Sequence, residues 1–211
     1  MKRLSKVKIE WSANFAYAIG LITSDGNLSI NGRSINFTTK DYDLAVTFKT
    51  CLNIDNKISR KGNGSNKIKK YYFVQFGDKN FYEFLVSIGL MPAKSKKLKN
   101  LQIPAEYFVD FLRGCIDGDG NIRVCRHSES KYPQLKLRLF SASPVFLKWI
   151  HDEIKKHIVI NGGWIEYYNR TYILNYAKAD ARRILKFIYY DEKVARLYRK
   201  YLVARPFLTD I

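Results

Sequence analysis

The stretch AIGLITSDGN, residues 18–27, has a second copy in LRGCIDGDGN, residues 112–121. Both copies have the pattern of an apolar helix that ends at Asp-Gly-Asn and continues into a strand. Asp25 and Asp119 occupy the same place in the two copies, 94 residues apart. The segments that follow the two copies also match in order, so the chain contains an internal repeat.

Aspartate is an unfavourable residue at these helix ends. A carboxylate there meets the negative end of the helix dipole, at a cost of a few tenths to about 1 kcal/mol, and two neighbouring carboxylates also repel each other. A divalent cation bound by the carboxylate oxygens of Asp25 and Asp119 would offset this cost. Gly20 and Gly114 repeat in the same place too, which predicts that the two helices approach closely.

The charge of the chain predicts a polyanionic partner. Its 211 residues include 37 Lys and Arg against 19 Asp and Glu, a net charge of +18 with a pI near 9.8. Such an excess is typical of nucleic-acid binding. The aromatic residues are spread through predicted strands rather than along one amphipathic helix, which favours nucleic acid over a membrane surface.

The cysteine pattern indicates a reducing, intracellular compartment. Cys51, Cys115 and Cys125 are odd in number and form no C-x-x-C pair, so neither a zinc site nor a disulfide framework is expected. No apolar run reaches the roughly 20 residues that a membrane span needs. The sequence leaves open whether the compartment is the cytoplasm, the nucleoid or an organelle matrix.

The repeat predicts an α+β fold of two pseudo-symmetric αββαββα halves. We expect residues 1–90 and 104–211 to form the halves, and residues 91–103 to link them. One chain then acts as a pseudo-two-fold monomer. The two motif helices pack along the axis, and the hairpins form two antiparallel sheets whose polar faces make a saddle for duplex DNA.

Strand alternation identifies the residues that can face DNA, because about half of each strand points to either side. The candidates in the first half are Asn27, Ser29, Arg33, Asn36, Arg60, Lys61, Lys69, Tyr71 and Gln75. Those in the second half are Arg123, Arg126, Lys136, Arg138, Trp164, Glu166, Tyr168 and Arg170. Arg and Gln suit guanine and adenine edges, whereas most Lys suit phosphate. For each candidate the alternative to a DNA contact is a side chain that simply faces solvent or, for an aromatic residue, one that packs in the core.

Two carboxylates around divalent ions, next to phosphates, match metal-assisted phosphodiester hydrolysis. Asp25 would serve one strand and Asp119 the other. The backbone carbonyls of Ser24 and Gly118 are candidate additional ligands. Asp117 has Thr23 as its counterpart, so we expect it to support the helix end rather than bind metal.

At these residues the chain resembles the LAGLIDADG homing endonucleases. Residues 18–26 and 112–120 stand where the nine-residue motif of that family stands, and the approach FLRG at 111–114 is also typical. The resemblance covers nearly the whole chain. With two motifs in one chain, the sequence resembles the single-chain, monomeric branch of the family, whose members are usually encoded within introns or inteins. Because no splicing-domain sequence surrounds the motifs, an intron-encoded form is favoured.

The resemblance implies a magnesium-dependent endonuclease with a long, asymmetric duplex target. It implies a staggered cut that leaves 3′ overhangs, with Mn²⁺ able to replace Mg²⁺ and Ca²⁺ supporting binding without cleavage. The last acid of each motif, Asp25 and Asp119, carries over as a metal ligand.

The resemblance also implies polar or basic side chains near the active site. Asn36 and Arg138 match one such place, and Lys94 and Lys200 are candidates for the basic one. Two alternatives remain open: an RNA maturase that binds intron RNA, and a catalytically silent DNA-binding protein on the same fold.

Overall fold

The computed structural model describes residues 5–63, 66–126 and 133–209, with the side chains of 63 and 66–69 left out of the description. The first half contains α1 Ala13–Asp25, β1 Gly26–Leu28, β2 Ser34–Thr39, α2 Tyr42–Leu52, β3 Ile58–Asn63, β4 Asn66–Gly77 and α3 Lys79–Ser87. The second contains α4 Phe108–Asp119, β5 Gly120–Cys125, β6 Gln134–Ser141, α5 Pro144–His157, β7 Trp164–Tyr168, β8 Thr171–Ala177, α6 Lys178–Ile188 and α7 Tyr198–Ala204. The predicted αββαββα order is confirmed, and α7 adds a final helix.

The two sheets share one topology. Their strand orders are β1-β2-β4-β3 and β5-β6-β8-β7, and all neighbours pair antiparallel. Asn36 pairs with Asn27 and Gln75 in the first sheet, and Arg138 holds the equivalent place in the second. The α+β class and the pseudo-two-fold repeat are therefore confirmed.

Glycine allows the two motif helices, α1 and α4, to meet backbone to backbone. A Cβ on Gly20 would lie 2.2 Å from the carbonyl oxygen of Phe111, and one on Gly114 would lie 2.2 Å from that of Tyr17. No side chain fits at such distances. The close approach predicted from the repeated glycines is confirmed.

Strand alternation divides each sheet into an apolar and a polar face. In β2 the side chains of Ile35 and Phe37 are buried, whereas Asn36 between them is only partly covered. β6 repeats this pattern. The apolar faces pack on the helices, and burying each such large side chain contributes about 1.5–3 kcal/mol.

The segment between the halves is fastened to both of them. The Gln102 amide donates to the Ile88 carbonyl at 2.9 Å, and the Ser143 hydroxyl donates to the Leu98 carbonyl at 2.6 Å. Leu98 is itself buried. Within the described ranges no helix is long and apolar enough to cross a membrane.

Candidate active site and nucleic-acid interface

The two motif aspartates lie where the motif helices end and the sheets begin. Asp25 is the last residue of α1 and Asp119 the last of α4, and β1 and β5 follow directly. The two helix ends touch, because a Cβ on Gly118 would lie 2.0 Å from Ser24 Oγ and 3.4 Å from Asp25 Oδ2. The structure thus brings Ser24 and Asp25 against Gly118, and Asp119 is close enough to Asp25 for the two carboxylates to interact electrostatically.

Two clefts open at this junction. The Asp25 cleft has a volume of about 330 Å³ and is lined by Asp25, Thr38, Thr39, Lys40, Asp41, Tyr71, Asp117, Gly118 and Arg199. The Asp119 cleft has a volume of about 240 Å³ and is lined by Thr23, Ser24, Lys94, Ser95, Leu98, Asp119, Phe140, Ser141, Ala142 and Thr171. Each cleft combines the last aspartate of one motif with residues of the other motif.

Two buried lysines hold the ends of the motif helices. Lys94 Nζ donates to the Gly26 carbonyl just after the first motif helix. Lys200 Nζ shares its three N–H groups among four carbonyls, those of Ile116 and Asp117 at 2.8 Å, Gly118 at 3.2 Å and Gly120 at 2.6 Å. A positive charge there offsets the negative end of each helix dipole. The ammonium groups therefore hold the motif backbone.

Burial shifts the pKa values of the charged groups at the ends of the motif helices. Burial, and then the charge of Asp119, raises the pKa of Asp25 to about 6, although Lys200 and Lys94 act in the opposite direction. Burial also raises the pKa of Asp119, against the charge of Lys94. The pKa of Lys200 falls to about 8 because of its burial. Both carboxylates are thus costly to ionise without a cation.

The donor atoms fit a hard divalent ion. Each cleft is lined by the last aspartate of one motif and by a residue of the facing motif, Gly118 or Ser24, whose polar side-chain and backbone atoms include oxygen donors. Among the residues that the structure describes, no group of three or more His, Cys, Asp or Glu could hold a metal. Mg²⁺ binds in this way, through one or two carboxylates, with water and substrate phosphates completing its shell.

Asp117 is buried within the second half and serves the chain itself. Its carboxylate accepts from the Leu197 amide at 2.7 Å, the Tyr17 hydroxyl at 2.8 Å and the Tyr189 hydroxyl at 3.5 Å. Burial raises its pKa to about 6. These contacts fasten the segment that leads to Lys200, which agrees with a supporting role.

The first sheet brings most of its predicted DNA-facing residues onto one face. Asn27, Asn36 and Gln75 pair across three strands, so their side chains share a side. Lys61 and Tyr71 also pair with each other on this side.

The other candidates of the first half lie elsewhere or are only partly described. Ser29 and Arg33 are in the turn between β1 and β2, where Arg33 is exposed. Arg60 pairs with Tyr72, on the opposite face from Tyr71, and its guanidinium lies 5.4 Å from the Tyr72 ring centroid. Lys69 is in β4, but its side chain lies outside the described residues.

The second sheet arranges its candidates in matching rows. Arg138 pairs with Asn121, and their row continues through Asn175 to Trp164. Arg123 pairs with Lys136 in a second row on the same side.

The outer strand β7 completes this polar face. Glu166 and Tyr168 follow Trp164 at every second position of β7, so the three side chains lie on one side, and Glu166 Oε1 accepts from the Asn175 side-chain amide at 3.1 Å. Arg126 is exposed just beyond β5, and Arg170 lies in the turn between β7 and β8 with φ of +65°.

Some residues of the clefts are absent from the sequence-based candidates. Lys40 and Arg199 line the Asp25 cleft, where Arg199 forms an ion pair with Asp41. Lys40 follows β2 directly, at the end of the alternating pattern, which is the one signal that could have identified it. The pairing of Arg199 with Asp41 spans 158 residues and has no local signal.

The structure is similar to solved structures of one fold. The meganuclease I-SmaMI, bound to uncleavable DNA, shares 13% identity at a TM-score of 0.62, with 92% of this chain and 90% of that chain covered. The homing endonuclease I-DmoI, in complex with DNA and Mn, shares 18% identity at a TM-score of 0.53, covering 83% and 94%. The N-terminal LAGLIDADG domain of DUF199/WhiA shares 17% identity at a TM-score of 0.57, covering 94% and 97%.

Sequence comparison gives no match of its own: no protein-family profile and no curated protein sequence matches the chain. At identities below one fifth, the structural likeness establishes the fold. The resemblance seen at residues 18–26 and 112–120 is confirmed at that level. The chain therefore has the fold of the LAGLIDADG homing endonucleases, with both motifs in a single chain.

Proposed function

We propose that this chain is a site-specific endonuclease that cuts both strands of a long, asymmetric DNA target and leaves 3′ overhangs. The observation that carries the proposal is the meeting of Asp25 with Gly118 in one cleft and of Asp119 with Ser24 in the other. Two equivalent clefts at one helix junction suit one cut on each strand. The net charge of +18 supports a polyanionic substrate.

Asp25 and Asp119 would hold the divalent ions, with the carbonyls of Gly118 and Ser24 as further ligands. A bound ion polarises the scissile phosphate and lowers the pKa of a water molecule. Mg²⁺ is the expected ion, with Mn²⁺ as a substitute and Ca²⁺ supporting binding alone. I-DmoI structures with DNA and Mn, or with DNA and Ca, support divalent ions on this fold.

The remaining residues position the two reacting strands. Lys94 and Lys200 fix the backbone of the motif ends, so that the carboxylates do not shift when they bind cations. Asn36 and Arg138 lie in equivalent places on the polar faces and would orient water or phosphate above each cleft. One chain supplies both halves of the site, so the active form is a monomer.

The test is selection of a cut site from a randomised duplex library, with Mg²⁺ present and then with Ca²⁺ in its place. We expect specific double-strand cleavage in Mg²⁺ and binding without cleavage in Ca²⁺. Asp25→Asn and Asp119→Asn should each abolish double-strand cleavage and leave binding largely intact. Asp55→Asn, at an exposed position, is the matched control and should cut normally.

Three outcomes would count against the proposal. Specific binding without cleavage in Mg²⁺ would identify a DNA-binding protein. Tight binding of structured RNA, with no cleavage of DNA, would identify a maturase. Undiminished cutting by Asp25→Asn or Asp119→Asn would refute the assignment of the ligands.

A further inference from the structure

The register of the two sheets shows which residues are equivalent in the two clefts. Because Asn36 and Arg138 hold the same place, the residues that follow them correspond one by one. Lys40 of the Asp25 cleft thus corresponds to Ala142 of the Asp119 cleft. In the same way Thr38 corresponds to Phe140, Thr39 to Ser141 and Tyr71 to Thr171. Where the Asp25 cleft has the ammonium group of Lys40, the Asp119 cleft has the methyl group of Ala142.

Lys40 is placed to meet a DNA phosphate. Its side chain is exposed, and its Nζ lies 5.7 Å from the centroid of the Tyr71 ring, which also lines the Asp25 cleft. The aromatic face holds an ammonium group by a cation–π interaction. The charge is therefore kept at the mouth of this cleft.

Arg199 repeats the difference on the other wall. It precedes Lys200, so its counterpart is Ala93, which precedes Lys94. Arg199 donates to both carboxylate oxygens of Asp41, at 2.7 and 2.9 Å, and its side chain is 60% exposed.

The two clefts differ in the cations that reach their mouths: Lys40 is exposed at the Asp25 cleft, whereas Lys94, which lines the Asp119 cleft, is buried and donates to the Gly26 carbonyl. Asp41 balances Arg199, and Lys40 then remains as the extra cation. Asp117 also contacts this cleft, but its carboxylate is 1% exposed and accepts from Leu197 and Tyr17. The Asp119 cleft has Ala142 in place of Lys40, and its own cation, Lys94, points to the backbone of the first motif.

We propose that Lys40 forms a phosphate-binding subsite in the Asp25 cleft, and that the two strands are therefore cut in a fixed order, the strand in the Asp25 cleft first. The inference rests on the proposed endonuclease function. A cation beside the scissile phosphate stabilises the charge that develops during hydrolysis. Ala142 gives the second strand no such contact, and Lys94 of that cleft is already engaged by the Gly26 carbonyl, so a nicked duplex with one defined cut strand precedes the double-strand break.

The test follows each strand of the selected target with its own fluorescent end label during cleavage in Mg²⁺. For the unaltered chain we expect one strand to be cut at least about tenfold faster than the other. Lys40→Ala should slow that strand by a similar factor and leave the other unchanged. Ala142→Lys should speed the slow strand, and the double variant should reverse the order. Lys155→Ala, which removes an exposed lysine from α5, is the control and should keep the order.

A binding measurement tests the subsite without catalysis. In Ca²⁺, log affinity falls with log salt; Lys40→Ala should make this fall shallower by about 1, and Ala142→Lys should make it steeper by about 1. An unchanged slope for Lys40→Ala would overturn the subsite.

The two proposals fail in different ways. If the unaltered chain cuts neither strand in Mg²⁺, the proposed function is wrong, and the order of cutting falls with it. If the unaltered chain cuts both strands at equal rates, or Lys40→Ala slows both equally, the function stands and the fixed order is overturned.

Discussion

Replacing Asp25 by Asn should stabilise the metal-free protein while it abolishes cleavage. Burial and Asp119 raise the pKa of Asp25 from its usual 3.8 to about 6. Each unit corresponds to about 1.4 kcal/mol, so the ionised carboxylate costs up to about 3 kcal/mol of folding free energy at pH 7. Because Asp25 keeps some contact with solvent, we expect a gain of about 2 kcal/mol for the variant.

The sign of this effect depends on pH. A group whose pKa is raised by folding binds its proton more tightly in the native state. Its contribution to stability is fully present below about pH 4 and is lost as the pH rises through about 6. The gain from Asp25→Asn should therefore be present at pH 7 and vanish near pH 4. Urea unfolding at both pH values, with EDTA present, measures it.

Two further measurements make this prediction strict. Asp55→Asn removes an exposed carboxylate and should change the unfolding free energy by less than about 0.5 kcal/mol. Adding Mg²⁺ should stabilise the unaltered chain more than the variant, because binding to the native state adds stability. Loss of stability in Asp25→Asn at pH 7, or the same gain at pH 4, would refute the reasoning.

Three other predictions concern packing, a buried ion pair and DNA binding. Gly114→Ala should lower the free energy of unfolding by about 3 kcal/mol or more, at or above the top of the usual range for overpacking, because the added Cβ would meet backbone atoms of α1. Gly77→Ala, which has open space around it, should cost far less when both are measured by urea unfolding. Equal costs would contradict the close contact between α1 and α4. Arg113→Met should cost about 3–5 kcal/mol, because it leaves the buried Asp110 carboxylate without a cation and with only the Tyr190 hydroxyl as a partner, whereas Arg183→Met at the more exposed pair with Asp180 should cost less than about 1 kcal/mol; a small loss for Arg113→Met would disprove the role of the buried pair. Affinity for the selected target should fall by about 10³ or more between roughly 50 and 200 mM salt, measured by fluorescence anisotropy, and a flat dependence would exclude a phosphate-tracking surface.

The sequence predicts the features that repeat along the chain. The two copies of Asp-Gly-Asn identified both motif helices, and Gly20 and Gly114 predicted their close approach. The Asn31-Gly32 pair is a typical hairpin turn sequence, and in the structure Gly32 has φ of +70° while Asn31 Oδ1 accepts from the amides of Arg33 and Ser34. These features depend on residues that are close together in the sequence, so the sequence alone is enough to predict them.

The features that sequence reasoning missed depend on distant contacts. Asp41 directly precedes α2, and its carboxylate binds Arg199 across the two halves, a contact that no local pattern indicates. Arg60 was expected on the DNA side, but the register of β3 against β4 places it beside Tyr72. A shift of one residue moves a strand side chain to the other face, and composition alone does not set that register.

The seam between α1 and α4 also bears on how halves of this fold can be recombined. At Gly20 and Gly114 the two helices meet through backbone atoms, so shape rather than side-chain identity decides which halves fit there. A side-chain contact that does select a partner is the Tyr17 hydroxyl, which reaches Asp117 across the seam. A chimera that grafts residues 1–90 onto a foreign second half therefore needs a small residue opposite Gly20 and a buried acceptor for Tyr17.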